Sequence, residues 1–323
     1  MSPADPAGTR AEAVVDEWCA ARLGSAPITA FFAARSMSSV RGVRLADDRQ
    51  VALKVRVASK RVLACAAGHR LAAAAGIDCP DLLAGPEWLP GLGWASAEAW
   101  RPEGALRPSG DAAIAYADLL RRLVGALGDL DPGEFDPPPP WAHYDHGEPG
   151  RVWPAATSAG WDPESPVVPD WVRRVAAAAR ERLLAEDHGA ATLPAVVGHS
   201  DLNGLNVRWL DGPIVHDWDS LAARPECVLA GIVAVNHVEG PNAGAIAAVE
   251  STEACLRHYQ HDRQFSAVEL ELAWAAGVWV AAYNAAFEYL HGRPGEVVRQ
   301  LKADAAERLR RAGCSDCREP SHD

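Results

Sequence analysis

The stretch of residues 198–219 constrains the fold more than any other part of the chain, because it joins a tight polar turn to a hairpin signal. Residues 198–206 read GHSDLNGLN, and residues 216–219 read HDWD. Between them, two short apolar runs flank an Asp-Gly pair at 211–212. Such a pair between apolar runs is a strong signal for a β-hairpin. The pattern therefore predicts a strand, a polar loop and a hairpin that returns the chain to that loop.

Three oxygen-bearing side chains converge if this hairpin forms. Asp201 and Asn206 lie on the loop, and Asp217 closes the second hairpin strand. Magnesium takes oxygen ligands from one or two side chains and completes its shell with water and substrate phosphates. Asn206 and Asp217 can supply those ligands. Asp201 would then be free to accept a proton from a hydroxyl group.

The order of elements predicts an α+β fold with a strand-rich start and a helical remainder. Alternating apolar residues and turn signals predict strands, and helical spacing predicts helices. Ser59 is a candidate N-cap for the helix that ends at Gly76, and Pro80 begins a loop. Strands are predicted at 28–34, 40–45, 50–57, 92–100, 193–197, 207–210 and 214–216, and helices at 11–23, 59–75, 111–127, 171–184 and across most of 226–312.

Residues 131–170 interrupt this pattern. They contain four consecutive prolines at 137–140 and three tryptophans, Trp141, Trp153 and Trp161. Tryptophan is unusual in disordered segments, so we expect an ordered but irregular insertion.

The sequence HxDxxxxN followed by DWD resembles the aminoglycoside phosphotransferase family, whose fold is that of protein kinases. Asn206 follows Asp201 by five residues, and Asp217 follows Asn206 by eleven. The resemblance implies a protein-kinase-like two-lobe fold, with a nucleotide-binding N-lobe at 1–100 and a helical C-lobe at 101–323. It also implies an enzyme, a kinase that moves the γ-phosphate of ATP to a hydroxyl of a small molecule. Aminoglycosides, amino sugars and related metabolites are the candidate acceptors.

The same resemblance assigns roles to individual residues, with ATP and Mg²⁺ as cofactors. Asp201 would be the catalytic base, and Asn206 and Asp217 would bind the metal. His199 matches a histidine that packs under the loop. Lys54, in the apolar run VALKV, would bind the α- and β-phosphates. The chain has 28 arginines and only three lysines, which makes a lysine in a strand conspicuous.

The chain departs from the kinase pattern at the partner of Lys54. Kinases pair this lysine with a helix glutamate, but no Asp or Glu occurs between Lys54 and Asp78. Cys65 or His69 stands near the expected position. We expect Lys54 to be balanced mainly by nucleotide phosphates, unless an acid brought close by folding pairs with it. Glu98 is the acidic candidate on the same lobe.

The nucleotide loop and the hinge carry weaker signals. No GxGxxG loop is present, and residues 36–39, SMSS, lie between the first two strands. Ser38 and Ser39 can offer N–H groups and hydroxyls to phosphate, although a surface turn fits equally well. Glu98 and Trp100 fall where the lobes should join, and the resemblance implies that backbone groups there bind adenine.

Arg224 is a further departure from the family pattern. It stands near the position where the family often has an acidic residue.

The long helix predicted near the C-terminus carries aromatic residues at four-residue intervals. Trp279, Tyr283 and Phe287 form this stripe, which we interpret as core. Asn284 and Glu288 lie beside it and are candidates to face a sugar or an amine.

Composition narrows the partners. The net charge of −12 argues against general nucleic-acid binding. The acidic part of the chain, outside the basic segment 35–70, suits a neutral or cationic small-molecule acceptor. The longest apolar stretch, 273–287, is too short to span a bilayer, so we expect no membrane partner. Seven scattered cysteines without a secretion signal indicate free thiols and a cytoplasmic location. Cys314 and Cys317 form a lone CxxC, with His322 beyond it. We interpret this region as a polar tail and not as a zinc or redox site.

Three alternative functions use the same residues. A catalytically weak or inactive kinase-like nucleotide-binding module is favoured by the missing helix glutamate and opposed by Asp201, Asn206 and Asp217. A metal-dependent phosphoesterase would need more histidines at close spacing. A protein kinase would need an activation segment, but Asp217 is followed almost directly by helices.

Overall fold

A computed structural model of the chain describes residues 6–35, 38–57, 59–155, 162–240 and 245–314. The strands of the described residues are β1 (Pro27–Arg35), β2 (Ser38–Leu45), β3 (Gln50–Arg56), β4 (Leu82–Leu89), β5 (Gly93–Ala99), β6 (Ala195–His199), β7 (Val207–Trp209), β8 (Pro213–Val215) and β9 (Leu221–Pro225). The helices are α1 (Pro6–Leu23), α2 (Val62–Ala74), α3 (Ala112–Ala126), α4 (Asp170–Leu183), α5 (Glu226–Asn236), α6 (Val249–Tyr259), α7 (Ala267–Leu290) and α8 (Glu296–Arg311). The predicted α+β class, with strands first and helices after, is confirmed.

The N-terminal part is an antiparallel sheet in the order β1-β2-β3-β5-β4. The β2–β3 hairpin turns at residues 47–48, where Asp48 has a φ of 68°. In the β3–β5 ladder, Lys54 lies opposite Ser96 and Ala52 lies opposite Glu98. Directly opposed residues share a face, and so do residues two apart on one strand. Lys54 and Glu98 therefore project from the same face of the sheet.

Two helices cover this sheet and connect it to the rest of the molecule. Helix α1 packs Trp18 and Cys19 into a small core shared with β2, β3 and β5. Helix α2 approaches β9 at Gly68, where an added Cβ would lie 2.5 Å from Leu221 Cδ1. The glycine thus allows α2 to lie close against β9.

The C-terminal part has one large apolar core built around α7. This helix is buried on nearly all sides and runs beside α5. Gly231 of α5 makes that contact possible, because a Cβ there would lie 1.9 Å from the carbonyl oxygen of Ala273. The two short strand pairs β6–β9 and β7–β8 rest on this helical core and carry the polar residues of the segment 198–219.

The irregular insertion is ordered across its described residues. Trp153 is fully buried in the main core, and Trp161 lies outside the described residues. Arg224 of β9, the residue that departs from the family pattern, binds the insertion through the carbonyl oxygen of Ala142 (2.7 Å) and the carboxylate of Asp145 (2.6 Å). Arg224 therefore has a packing role, in which it holds the insertion against β9.

Three local predictions were wrong. Strand β4 forms where a loop was expected after Pro80. Helix α2 begins after Arg61 with no side-chain cap, so Ser59 is not its N-cap. Phe287 is 45% exposed, although Trp279 and Tyr283 are core residues as predicted. No helix in the described part of the chain is both long and apolar enough to cross a bilayer.

Candidate active site

The loop after β6 holds Asp201 in a fixed orientation. Asn203 Nδ2 donates to Asp201 Oδ1 at 2.7 Å, and Asn206 Nδ2 donates to Oδ2 at 2.7 Å. Asn206 Nδ2 also lies 3.0 Å from the Asp201 carbonyl oxygen. The two amides fix the carboxylate plane, and Asn206 is left with its side-chain oxygen as the atom available to a metal.

His199 supports this loop from below. The backbone N–H of Asp201 donates to Nδ1 at 3.2 Å, so Nε2 carries the proton that it donates to the carbonyl oxygen of His216 at 3.0 Å. This arrangement requires a neutral ring, and burial lowers the pKa of His199 to about 4. The histidine therefore joins the loop to the hairpin as a structural residue, as the resemblance implies.

The β7–β8 hairpin brings Asp217 to the same place. The N–H of His216 donates to the carbonyl oxygen of Asn206 at 2.7 Å, which ties the end of the hairpin to the loop. Asp217 has a φ of 55°, in the left-handed region that residues other than glycine seldom adopt. Strained backbone of this kind is often found at functional sites. The predicted convergence of Asp201, Asn206 and Asp217 is thus present.

Lys54 does not lack an acidic partner, so that expectation was wrong. Its Nζ lies 3.1 Å from Glu98 Oε2 and 3.5 Å from Asp217 Oδ1. The side chains of Lys54 and Glu98 are 8% and 5% exposed. Burial opposes the charge on Lys54, but the carboxylates of Glu98 and Asp217 outweigh it and raise the pKa of the ammonium. Strand β5 thus supplies the glutamate that kinases take from a helix.

A second buried ion pair lies beside the first. Arg56 binds the carboxylate of Asp219, the last residue of the DWD sequence, and donates to Ser96 Oγ at 3.0 Å. The middle residue of DWD, Trp218, stacks on His69 of α2 with ring centroids 4.8 Å apart and planes 5° apart. His69 and Cys65 are the two α2 residues near the position where kinases have the helix glutamate. His69 instead stacks on Trp218 of the DWD sequence. Burial raises the pKa of the Cys65 thiol to about 11.

Burial and mutual repulsion make the two acidic residues receptive to protons or cations. Burial, and then the carboxylate of Asp217, raise the pKa of Asp201 to about 7. Burial also raises the pKa of Asp217, although Lys54 opposes the shift. A divalent cation bound by Asp217 and the Asn206 oxygen would relieve this repulsion. One carboxylate and one amide suit magnesium, which fills its remaining positions with water and phosphate oxygens. The residues present therefore fit the metal.

The residues predicted for the nucleotide loop and the hinge lie at the start of β2 and at the end of β5. Ser38 and Ser39 begin β2, with Ser38 buried and Ser39 exposed, while residues 36 and 37 lie outside the described part. Trp100 follows β5 and contacts Phe31 and Phe32, with ring centroids 5.1 and 5.3 Å away.

Sequence reasoning missed this aromatic cluster of Phe31, Phe32 and Trp100. Phe31 and Phe32 are 43% and 42% exposed, and clustered exposure of large apolar rings is a feature of binding sites. Two adjacent phenylalanines in a strand were the available signal, but the pairing across the sheet was not visible.

Two further candidates from the sequence do not join the site. Glu288 accepts hydrogen bonds from the backbone N–H groups of Gly295 and Val298, at 2.7 and 3.1 Å, and so caps α8. Cys314 lies on the described chain, whereas Cys317 and His322 lie outside it. In the described ranges, no group of three or more His, Cys, Asp or Glu side chains is placed to hold a metal ion.

The fold is that of the protein-kinase-like proteins, as a comparison with solved structures shows. An amicoumacin kinase in complex with AMP-PNP, Ca²⁺ and Ami superposes with a TM-score of 0.58 at 14% identity, covering 94% of each chain. An aminoglycoside phosphotransferase in a ternary complex with ADP and hygromycin B gives 0.54 at 13% identity, over 93% of this chain and 99% of that one. An aminoglycoside phosphotransferase from Alicyclobacillus acidocaldarius gives 0.51 at 12% identity, over 97% and 95%. No family model and no curated protein matches the sequence. The similarity confirms the predicted fold.

Proposed function

We propose that this protein is an ATP-dependent, magnesium-dependent O-phosphotransferase that acts on a hydroxyl of a small molecule. The observation that supports this most is the convergence of Lys54, Asp201, Asn206 and Asp217 at one place. Lys54 Nζ lies 3.5 Å from Asp217 Oδ1, and Asn206 Nδ2 lies 2.7 Å from Asp201 Oδ2. Phosphoryl transfer depends mainly on positioning and charge stabilisation, which are what these residues can provide.

Each residue has one task in this proposal. Glu98 holds Lys54, whose ammonium binds phosphate oxygens. Asn206 and Asp217 hold Mg²⁺, which when bound supplies positive charge to the phosphates. Asp201 orients the acceptor hydroxyl and takes its proton as the new oxygen–phosphorus bond forms and ADP leaves with the bridging oxygen. Asp201 must be ionised for this role, and its pKa of about 7 allows that at neutral pH.

The nucleotide base is assigned to the aromatic cluster of Phe31, Phe32 and Trp100. The resemblance to kinases implies that the adenine binds beside the hinge that follows β5, and Trp100 directly follows that strand. Exposed aromatic rings can stack on the flat face of a nucleotide base. Ser38 and Ser39 are assigned to the phosphates on the same grounds. The lobe boundary at residue 100, the ATP preference and the cytoplasmic location stay predictions.

The alternatives lose support from the structure. A non-catalytic nucleotide-binding module was suggested by the missing helix glutamate, and Glu98 now occupies that role. A protein substrate is disfavoured because only residues 218–220 separate Asp217 from β9, which leaves no activation segment. A metal-dependent phosphoesterase is disfavoured because His199 uses both ring nitrogens in hydrogen bonds to backbone and so has none left for a metal.

The proposal is tested by measuring ADP release from Mg·ATP with and without a panel of polyhydroxylated acceptors. We expect acceptor-stimulated turnover in the wild type, and loss of that turnover in Asp201→Asn with Mg·ATP binding retained. Exposed Asp48→Asn, in the β2–β3 turn, is the matched control and should behave as wild type. Failure of the wild type to bind Mg·ATP would contradict the proposal.

A further inference from the structure

The peptide group that joins Ser200 to Asp201 is held at both of its polar atoms. Its N–H donates to Nδ1 of His199 at 3.2 Å. Its carbonyl oxygen accepts from the indole Nε1 of Trp141 at 3.1 Å, and no second donor to this oxygen is found among the described residues. A peptide plane turns only through the soft torsions on either side of it, and such a turn would displace the side chain of Asp201. The insertion, which carries Trp141, therefore helps to fix the position of the proposed base.

Ser200 also connects the loop of the proposed base to the segment of the proposed metal ligand. The N–H and the Oγ of Ser200 both donate to the carbonyl oxygen of Ser220, at 2.9 and 2.8 Å. The N–H of Ser220 donates in turn to the carbonyl oxygen of Asp217 at 3.0 Å. The indole N–H of Trp141 is shared, since it lies 3.1 Å from Ser200 Oγ as well. One side chain from the insertion thus contacts the residue that links Asp201 to Asp217.

The indole is itself held in place by the core of the C-terminal part. Trp279 Nε1 of α7 donates to the carbonyl oxygen of Trp141 at 2.8 Å, and Trp279 is fully buried. The next carbonyl, that of Ala142, accepts from Arg224 Nε of β9 at 2.7 Å. A donor whose backbone is anchored on both sides is preorganised, because little freedom is left to lose when it binds its acceptor. The insertion therefore presents the indole N–H to Ser200 from a fixed point.

We propose that Trp141 is a positioning residue for phosphoryl transfer, which acts by holding the Ser200–Asp201 peptide group. This inference rests on the proposed function. The amides of Asn203 and Asn206 orient the carboxylate of Asp201 within its own loop. Trp141 instead fixes that loop relative to the helical core and to the segment that carries Asp217. The rate of transfer depends on such placement, since small displacements of a reacting group lower it strongly.

The role of the indole N–H is tested with two variants of Trp141. Trp141→benzothienylalanine keeps the shape of the ring and replaces the N–H by sulfur, and Trp141→Phe removes the N–H with a smaller ring. We expect kcat to fall by about 3- to 10-fold in both, the rate equivalent of one hydrogen bond, with unchanged KM for Mg·ATP. Trp88→Phe alters a tryptophan that is 46% exposed on β4 and is the matched control. An unchanged kcat in the benzothienylalanine variant, or an equal loss of Mg·ATP affinity, would overturn the inference.

Ser200→Ala separates the carbonyl of Ser200 from its hydroxyl. This variant keeps the carbonyl contact with Trp141 and the N–H bond to Ser220, so it should lose less kcat than Trp141→Phe. A loss as large as in Trp141→Phe would show that the indole acts through the hydroxyl, and the peptide assignment would be wrong.

A double variant tests whether Trp141 acts through Asp201. In an Asp201→Asn background, Trp141→Phe should cause no further loss of the residual turnover, because residues that act as one unit are not additive. A full additional loss would mean that the indole affects another part of the protein, and the inference would fall. Absence of acceptor-stimulated turnover in the wild type would instead overturn the proposed function, and the inference with it.

Discussion

Replacing Glu98 by alanine should destabilise the folded protein, because it leaves the Lys54 ammonium buried without its nearest carboxylate. The Lys54 and Glu98 side chains are 8% and 5% exposed, and their charged atoms lie 3.1 Å apart. Removing one partner of a buried ion pair costs roughly 3–5 kcal/mol. Asp217 remains 3.5 Å from Lys54 and can take over part of the pairing, so we expect the lower end of that range. Lys54→Ala should cost a similar amount, since it leaves the buried Glu98 carboxylate with the more distant Arg56, at 3.9 Å, as its cationic partner.

The assay is urea unfolding of the nucleotide-free protein, followed by circular dichroism. Glu87→Gln is the matched control, since Glu87 lies in the same sheet but forms an exposed ion pair with Arg22. That control should unfold near the wild-type midpoint, because exposed pairs contribute little. The double variant Glu98→Leu/Lys54→Met removes both charges and should recover much of the loss. Equal midpoints for wild type, Glu98→Ala and Lys54→Ala would refute the pairing.

The remaining predictions concern the catalytic loop and the metal ligands. Asp201→Asn should lower turnover by roughly 10²–10⁴-fold while Mg·ATP still binds in calorimetry, and near-normal turnover would remove Asp201 from the mechanism. Asp217→Ala should weaken magnesium-dependent nucleotide binding more than Asn206→Ala, because a carboxylate carries charge that an amide lacks; equal affinities in wild type and Asp217→Ala would contradict the metal assignment. Wild-type kcat/KM should rise with pH through about 7, the raised pKa of Asp201, and a flat profile would argue against an ionised base. A folded-state pKa above the unfolded value of about 3.9 also means that stability falls as pH rises from about 4 to about 7, by at most ~1.4 kcal/mol per pH unit, and Asp201→Asn should flatten this fall in urea unfolding at several pH values.

Local signals account for the parts of the site that the sequence predicted. The Asp-Gly pair at 211–212 lies in the three-residue connection between the paired Trp209 and Pro213, and this hairpin returns Asp217 to the loop that carries Asp201 and Asn206. The apolar run around Lys54 likewise predicts a strand. These are short-range properties, in which the identity of a few neighbouring residues fixes the backbone.

The partner of Lys54 is not a local property, and sequence reasoning could name Glu98 only as a candidate. Forty-four positions separate the two residues, and their contact depends on the β3–β5 register. A shift of that register by one residue would turn Glu98 to the opposite face. The register depends on β4, which was itself missed because its residues 82–89 include Gly85 and Pro86 and were interpreted as a loop. The Trp141 contact with Ser200 is similarly remote, since no periodicity exists in the insertion to place it.

The position of Glu98 in β5 has a consequence for how the site is assembled. In protein kinases the lysine pairs with a glutamate on a helix, so movement of that helix makes or breaks the pair and controls activity. Here both partners belong to adjacent strands of one sheet, held by the ladder from Val51 to Arg56. Helix α2 contributes contacts of a different kind, in which His69 stacks on Trp218 and Gly68 lies against Leu221. A displacement of α2 would therefore disturb the DWD segment and leave the lysine–glutamate pair intact. If Lys54 binds phosphate as we propose, its position is set by the sheet itself, and we expect the activity to depend on the supply of acceptor instead of on a helix switch.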